Sequence, residues 1–139
     1  MEIITQKISL PTQGNPDLLN ITEKIRDILK AAGLKKGSLV VFVVGSTAGI
    51  TTFEYEPGVV KDMQELYEKL IPKSKHYAHD DTWGDANGFS HLRAALQGPS
   101  LTIPFDRGEL LLGTWQQVVL ADFDNRSRQR EVVIQMIGE

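Results

Sequence analysis

The sequence of 139 residues predicts an α+β fold built on antiparallel sheet. Segments with strand character outnumber helical ones, and only two long segments have helical spacing of apolar residues. The last three strand segments, in residues 110–137, follow one another through short turns, as in an antiparallel meander. The length fits a single domain, residues 1–139, because two well-packed domains need a longer chain.

The first two elements are a strand and a helix. Apolar and polar residues alternate over residues 2–10, which predicts a half-buried strand, and residues 11–17 are typical of a loop. From about Asn20 to Ala32 apolar residues recur at helical spacing. Asn20 and Glu23 resemble a capping box at the start of this helix, and Gly33 is a stop signal.

The middle of the sequence predicts two strands and a second helix. Ser38–Val44 is apolar and rich in β-branched residues, which indicates a central strand. A tight turn of small residues, Gly45–Gly49, separates it from a strand at Ile50–Tyr55. Pro57 then opens an amphipathic helix that ends before Pro72.

The remaining elements are short. Residues 73–90 are polar without a clear period, and Leu92–Leu96 is predicted as a short helix. Trp115 is expected in the core. Four strands are predicted at Leu101–Phe105, Leu110–Gly113, Trp115–Phe123 and Glu131–Ile137.

Composition excludes several classes of function. The net charge is −3 and no block of Lys or Arg is present, so we expect no nucleic-acid partner. A phosphorylated small molecule remains a compatible partner, because binding it depends on a few local arginines. The absence of cysteine excludes disulfides, thiolate metal sites and a cysteine nucleophile. No secretory leader and no run of about 20 apolar residues is visible, so we expect a cytoplasmic protein with no membrane partner.

All three histidines of the chain lie within 16 residues, in a segment that also holds acidic residues and an asparagine. Imidazole and carboxylate together suit a divalent metal or a general acid–base pair. A solvated polar loop is the alternative, and the spacing alone does not decide between them. The segment contains His76, His79, Asp80, Asp81, Asp85, Asn87 and His91.

Three further patterns allow two interpretations each. The small residues Gly45–Gly49 let backbone amides approach an anion, or they form a plain connection. Glu54 and Glu56 are solvent-facing charges, with Glu54 able to turn toward a site. Arg126, Arg128 and Arg130 alternate, which suits a phosphate or a charged sheet edge.

Four segments together resemble the YjbQ-like family, also called uncharacterised protein family 0047. They are VVGSTAGITTFEYEPG (43–58), HYAHDDTWGDANGFSHLRAAL (76–96), GPSLTIPF (98–105) and LLGTWQQVVLADFD (111–124). The resemblance implies an antiparallel β-sandwich with two main flanking helices, assembled as a homotrimer. It also implies similarity to secondary thiamine-phosphate synthases.

The resemblance also assigns positions. The family's Tyr-x-His histidine falls on His79, its acidic position on Asp85, its second histidine on His91 and its glutamate on Glu54. Many members begin the small-residue loop with His-Thr, whereas this chain has Ser46 before Thr47, which removes one imidazole from a metal site.

Two functions are therefore expected in different classes. The first is an enzyme for a phosphorylated substrate, with His79, Asp85, Asn87, His91 and Glu54 as catalytic candidates. Ser46, Thr47 and Arg128 would contact the phosphate, and His79 and His91 would hold a divalent metal, Mg²⁺ or Zn²⁺. The second is a non-catalytic trimer that binds a metal or an anionic metabolite.

Overall fold

The computed structural model describes the whole chain, Met1–Glu139, and confirms an α+β architecture. It has eight strands and four helices. In chain order they are β1 (Glu2–Thr12), β2 (Asp17–Asn20), α1 (Thr22–Ala32), β3 (Lys36–Val44), β4 (Ala48–Glu54), α2 (Pro57–Leu70), α3 (Asp80–Trp83), α4 (Gly88–Gln97), β5 (Ser100–Asp106), β6 (Glu109–Leu110), β7 (Gln116–Asp122) and β8 (Arg128–Gly138).

The strands form two antiparallel sheets. The larger has the order β1-β8-β3-β5-β6 and the smaller the order β2-β7-β4. Alternate residues of β3 point inward, so that Leu39, Val41 and Val43 are fully buried while Phe42 and Val44 are exposed. These side chains form one core with apolar residues of the smaller sheet and with Ile25 and Leu29 of α1.

The smaller sheet is covered on both faces. Val118 and Leu120 of β7 belong to the core between the sheets, whereas Val119 and Ala121 pack into a second cluster under α2 and α4. In that cluster the ring of Tyr67 meets Phe123 edge-on at 4.7 Å between centroids. A strand buried on both faces lacks alternation, which explains the unbroken apolar run of β7.

Buried polar contacts hold α4 in place. The guanidinium of Arg93, which is 2 % exposed, donates to the Ile71 carbonyl and to Glu68 Oε2 at the end of α2. The Tyr67 hydroxyl donates to Gln97 Oε1 at 2.6 Å. Burial raises the pKa of Tyr67 to about 12 against the opposing charge of Arg93, so this phenol remains a neutral donor.

Several predicted elements need correction. Two long helices and a short one were predicted, and the structure adds a fourth, because α3 occupies the polar segment; α4 begins four residues before the predicted Leu92. A strand, β2, precedes α1. The side chain of Asn20 accepts from Thr22 N, so the predicted capping box with Glu23 is wrong. The strand predicted at Leu110–Gly113 is only Glu109–Leu110.

The predicted meander at the C-terminus is also wrong. β7 and β8 follow each other in the chain, yet β7 pairs with β2 and β4 while β8 pairs with β1 and β3. The chain therefore crosses from one sheet to the other between Asp122 and Arg128. Trp115 lies outside the core and is 71 % exposed.

The helices are short. The longest, α2, has 14 residues, and no helix combines the length and apolar content needed to cross a membrane.

Candidate functional site

Most of the predicted site residues meet in one cleft of about 360 Å³. It lies where the β3–β4 turn, the α3–α4 segment and the start of β8 come together. Seven of the eight predicted site residues line it, and Glu54 does not. The lining residues are Gly45, Ser46, Thr47, His79, Trp83, Asp85, Asn87, His91, Arg128 and Arg130.

His79 is placed by a turn that Asp80 holds together. The carboxylate of Asp80 accepts from Tyr77 N and from Gly88 N, both at 2.9 Å, and so ties the turn to the first residue of α4. These two backbone hydrogen bonds are the main reason why the pKa of Asp80 lies below its ordinary value. The close approach requires Gly88, because a Cβ there would lie 2.6 Å from Tyr77 Cβ.

The buried side chain of Asn87 fixes the tautomer of His79. Asn87 Nδ2 donates to Asp124 Oδ1 at 3.5 Å, and an ionised carboxylate only accepts, so the amide oxygen must face His79. That oxygen lies 3.1 Å from His79 Nε2, which therefore carries the proton. In the neutral ring Nδ1 is left as the basic nitrogen.

His91 lies beside His79, with 4.3 Å between the ring centroids. Removal from water and, next in size, the neighbouring His79 lower the pKa of His91, although Asp124 and Asp85 oppose this shift. His91 is therefore a neutral imidazole at neutral pH. A neutral imidazole is able to accept a proton, which suits a general base.

Asp124 is fully buried behind the cleft and connects its two sides. Its Oδ2 accepts from Arg128 Nε at 2.6 Å, while Oδ1 accepts from Asn125 N and Asn87 Nδ2. Burial alone would raise the pKa of Asp124, but these hydrogen bonds and the charge of Arg128 lower it below its ordinary value. The ionised carboxylate thus orients Arg128 directly and His79 through Asn87.

A second buried ion pair supports the β3–β4 turn. Arg130 Nε and Nη2 donate to Asp122 Oδ2 and Oδ1 at 2.7 and 2.8 Å, and Nη2 also donates to Thr47 Oγ1. The Thr47 hydroxyl donates in turn to Asp124 Oδ2. Because its single proton is used, the hydroxyl of Thr47 has none to give to a phosphate; the phosphate contact predicted for Thr47 stays a prediction.

The cleft keeps free donors for an anion. Arg128 uses only Nε within the chain, so both terminal nitrogens of its guanidinium are free, and its side chain is 34 % exposed. The backbone N–H groups of Gly45 and Ser46 donate to no acceptor of the chain. Guanidinium and backbone N–H groups together are the usual ligands of phosphate oxygens.

Two of the singled-out residues lie apart from this cluster. Glu54 is exposed at the far end of β4, opposite Gln116, and within one chain it lies away from the histidines. His76 is exposed outside the cleft and pairs with Asp81 at 3.1 Å. Asp85 does line the cleft, with its Oδ1 3.9 Å from His79 Nε2, which is beyond hydrogen-bonding distance.

The donor set does not fit a metal site within one chain. No group of three or more His, Asp or Glu side chains is placed to hold a metal ion. His79 Nε2 is engaged by Asn87, and position 46 carries a serine hydroxyl rather than an imidazole. A metal at His79 and His91 stays a prediction.

Comparison with known proteins gives the relationship. The family model described as "UPF0047 protein YjbQ-like" matches residues 6–139, nearly the whole chain. The chain belongs to the YjbQ-like UPF0047 family. A UPF0047 protein of Methanothermobacter thermautotrophicus is 34% identical over 139 residues, which is 100% of this chain and 95% of the relative. Another UPF0047 protein, from Archaeoglobus fulgidus, is 32% identical over an alignment that covers 91% of this chain and 97% of that relative.

Solved YjbQ-like structures share the fold. A YbjQ-like protein of unknown function from Sulfolobus solfataricus superposes with a TM-score of 0.93 at 28% identity, covering 99% of both chains. A YjbQ/UPF0047 family protein from Clostridium acetobutylicum gives 0.86 at 33% identity, over 95% of this chain and 99% of that one. The resemblance drawn from the sequence is thereby confirmed at the level of family and fold.

Sequence analysis of this YjbQ-like chain missed part of the cleft. Asp122 and Asp124 come at the end of the apolar run of β7. A carboxylate next to a strand that is buried on both faces needs a partner, and this is the sequence signal that could have identified them. Arg130 proves to be a buried ion-pair partner rather than an edge charge. Trp83, at the rim, is 78 % exposed, and no sequence pattern marks such an indole as part of a site.

Proposed function

We propose that this cleft binds a phosphorylated small molecule and that its two histidines act on that molecule as acid–base groups. The observation that carries the proposal is the meeting of His79 and His91 with the free guanidinium end of Arg128 in one cleft. Imidazoles alone would suit many reactions. The free terminal nitrogens of Arg128 and the unbonded backbone N–H groups beside them favour an anionic substrate.

Each residue has a distinct role in the proposal. Arg128 and the N–H groups of the 45–46 turn neutralise phosphate oxygens. His91, neutral because of its lowered pKa, accepts a proton, and His79 is the proton donor. Trp83 offers an exposed indole on which a planar part of the substrate can stack.

The finer proposal follows the family resemblance, namely transfer of a pyrimidinylmethyl group from its pyrophosphate to a thiazole phosphate. The bond between the methylene carbon and the pyrophosphate oxygen breaks, and its electron pair stays on that oxygen. His91 takes a proton from the pyrimidine amino group as the pyrophosphate departs, and returns it when the lone pair of the thiazole nitrogen forms the new C–N bond. Thiamine phosphate and pyrophosphate are the products, and no oxidant is required. Arg128 would stabilise the charge on the departing pyrophosphate.

Anion binding can be tested with inorganic pyrophosphate and two arginine variants. Arg128→Ala removes the free guanidinium from the cleft and should weaken pyrophosphate binding by on the order of tenfold or more, since a charge-assisted contact contributes about 1.5–3 kcal/mol. Arg126→Ala is the matched control, because Arg126 is exposed two residues away and outside the cleft. Isothermal titration calorimetry measures both. If the two variants bind pyrophosphate with equal affinity, phosphate does not bind in this cleft.

Turnover is tested separately with the pyrimidine pyrophosphate and thiazole phosphate pair, by chromatography of thiamine phosphate. We expect His91→Ala to lower kcat by about 10²–10⁴-fold while pyrophosphate still binds, because the acid–base group is lost and the anion contacts remain. His76→Ala lies outside the cleft and should keep the parent rate. Unchanged turnover in His91→Ala would contradict the catalytic role.

A non-catalytic binding protein is the second candidate. The observation in its favour is the fixed hydrogen bond between His79 Nε2 and Asn87, which restrains one of the two imidazoles. For such a protein, pyrophosphate binding depends on Arg128 in the same way, but the parent protein forms no product from the pyrimidine and thiazole substrates.

A further inference from the structure

An apolar groove continues directly from the polar cleft. It has a volume of about 430 Å³ and lies between α4 and the β3–β4 turn. Its outer wall consists of carbon side chains, those of Leu92, Ala95 and Pro99. The groove and the cleft share Gly45, Ser46 and His91, so the two spaces meet at the ring of His91.

The two spaces differ sharply in chemistry. The cleft presents Arg128, two imidazoles and backbone N–H groups, whereas the groove presents carbon almost throughout. Leu92, which follows His91 in α4, lines the groove and is 46 % exposed. Ligand sites in proteins combine an apolar wall with a few polar groups that fix orientation, and the volume of this groove is typical of a site for a small organic group.

We propose that the groove is a second subsite, which holds the apolar part of a phosphate ester whose phosphate occupies the cleft. This inference rests on the proposed function and specifies its substrate class: a phosphate or pyrophosphate monoester with a compact aromatic or branched aliphatic group next to the ester carbon. Such a ligand places its ester bond at the junction of the two spaces. His91 lines both spaces, so its imidazole lies beside the ester bond of such a ligand.

The shape of the boundary supports one ligand across both spaces rather than two separate ones. Ser46 and His91 line both spaces, and the small serine side chain takes up little room at their junction. The first turn of α4 supplies His91 to the cleft and Leu92 to the groove. A single rigid helix therefore sets the distance between the phosphate contacts and the apolar wall.

The test compares inorganic phosphate, methyl phosphate and benzyl phosphate by calorimetry at fixed pH and ionic strength. Methyl phosphate should bind about as tightly as inorganic phosphate, because its methyl group buries little surface. Benzyl phosphate should bind on the order of tenfold more tightly, since one aromatic ring leaves water. Equal affinity of methyl and benzyl phosphate overturns the inference.

Two variants place the effect in the groove. Ala95→Trp fills it and should abolish the advantage of benzyl phosphate without changing the affinity for inorganic phosphate. Leu96→Trp adds the same indole to an exposed neighbouring position that does not line the groove, and should leave both affinities unchanged. Leu92→Ala shortens the wall and should weaken benzyl phosphate alone. An advantage that survives both Ala95→Trp and Leu92→Ala overturns the assignment.

The outcomes separate this inference from the proposed function. If neither inorganic phosphate nor benzyl phosphate binds, the proposed function fails and the inference fails with it. If inorganic phosphate binds through Arg128 and the benzyl group adds nothing, only the inference fails. A second copy of the chain is the other conceivable occupant. Light scattering tests this alternative. If Ala95→Trp has a lower mass than the parent, and the parent binds benzyl phosphate no more tightly than methyl phosphate, a second chain occupies the groove and the subsite is overturned.

Discussion

His91 differs from the other two histidines in what surrounds its ring. His76 is exposed beside Asp81, and His79 is hydrogen bonded to Asn87, whereas His91 is partly removed from water and faces another imidazole. Both effects oppose a positive charge. The folded protein therefore favours the neutral ring, and the pKa of His91 is lower in the folded state than in the unfolded state. Below pH about 6.5 the unfolded chain takes up this proton more readily, so His91 lowers the free energy of unfolding as the pH falls through the pKa of the folded state.

This environment gives a prediction for NMR titration of the histidine ring protons. His91 should titrate below the ordinary value of about 6.5, and His79→Gln should raise its pKa, because a neighbouring positive charge is removed while similar bulk remains. His76→Gln is the control and should leave the pKa of His91 unchanged, since His76 lies outside the cleft. A pKa of His91 above 6.5, or an equal response to both substitutions, would contradict this account.

The proximity of residues in the cleft was predicted where their chemistry is unusual, and missed where burial determines their surroundings. The cluster of His79, Asn87 and His91 could be found because imidazoles and amides are concentrated there. Asp124 could not be found in the same way, since a lone acidic residue after a strand is ordinary. It matters because the fold removes it from water and brings Arg128 and Asn87 to it.

At the level of elements, the site depends on how α4 packs against β4. Gly49 allows this contact, because a Cβ there would lie 2.9 Å from the Gly98 carbonyl oxygen and 2.9 Å from Gln97 Cγ. The Ile50 N–H donates to the same Gly98 oxygen at 3.1 Å. The end of α4 is thus fixed on β4, and its first turn delivers His91 to the cleft.

Gly49→Ala should therefore destabilise the protein by about 1–3 kcal/mol, because backbone must move to relieve the contact. Gly113→Ala is a matched control, since a Cβ at Gly113 meets its nearest atom at 3.7 Å, an ordinary contact. Urea unfolding followed by circular dichroism measures both. We also expect the ring signals of His91 to shift in Gly49→Ala only. Equal stability of the two variants would show that α4 adapts freely.

The elements themselves could largely be predicted from periodicity, but their pairing could not. Strand β3 and helix α2 were found within two residues of their observed ends, since Pro57 and the β-branched run mark them clearly. The succession of β7 and β8 suggested a hairpin. Its actual crossing between sheets depends on the buried pairing of Asp122 with Arg130, a tertiary contact that no local pattern encodes.

At the scale of the whole molecule, the outer face of the larger sheet carries apolar residues at its centre. β3 is the third of five strands, and Phe42 and Val44 are 40 % and 49 % exposed on this face. Val133 of β8 lies directly opposite Phe42. Exposed apolar side chains at the centre of a sheet can mark contacts between protein chains. We propose that this face contributes to the homotrimer that the family resemblance implies.

The trimer is tested by multi-angle light scattering. Three chains of 15.5 kDa give a mass of about 46 kDa, and Phe42→Glu should lower it, because three buried carboxylates would oppose association. Leu70→Glu, at an exposed position of α2, is the control and should keep the parent mass. A parent mass near 15.5 kDa would exclude the trimer, and a Phe42→Glu trimer would exclude this face.

The same variant shows whether the site is complete in one chain. Arg128 and the N–H groups of Gly45 and Ser46, the proposed phosphate contacts, lie in the same chain, so dissociated Phe42→Glu should bind inorganic pyrophosphate with nearly the parent affinity. The comparison requires both proteins at one ionic strength, because phosphate contacts weaken with salt. Loss of binding on dissociation would mean that a neighbouring chain supplies a contact, and exposed Glu54, the predicted site residue outside this cleft, would be the first residue to substitute next.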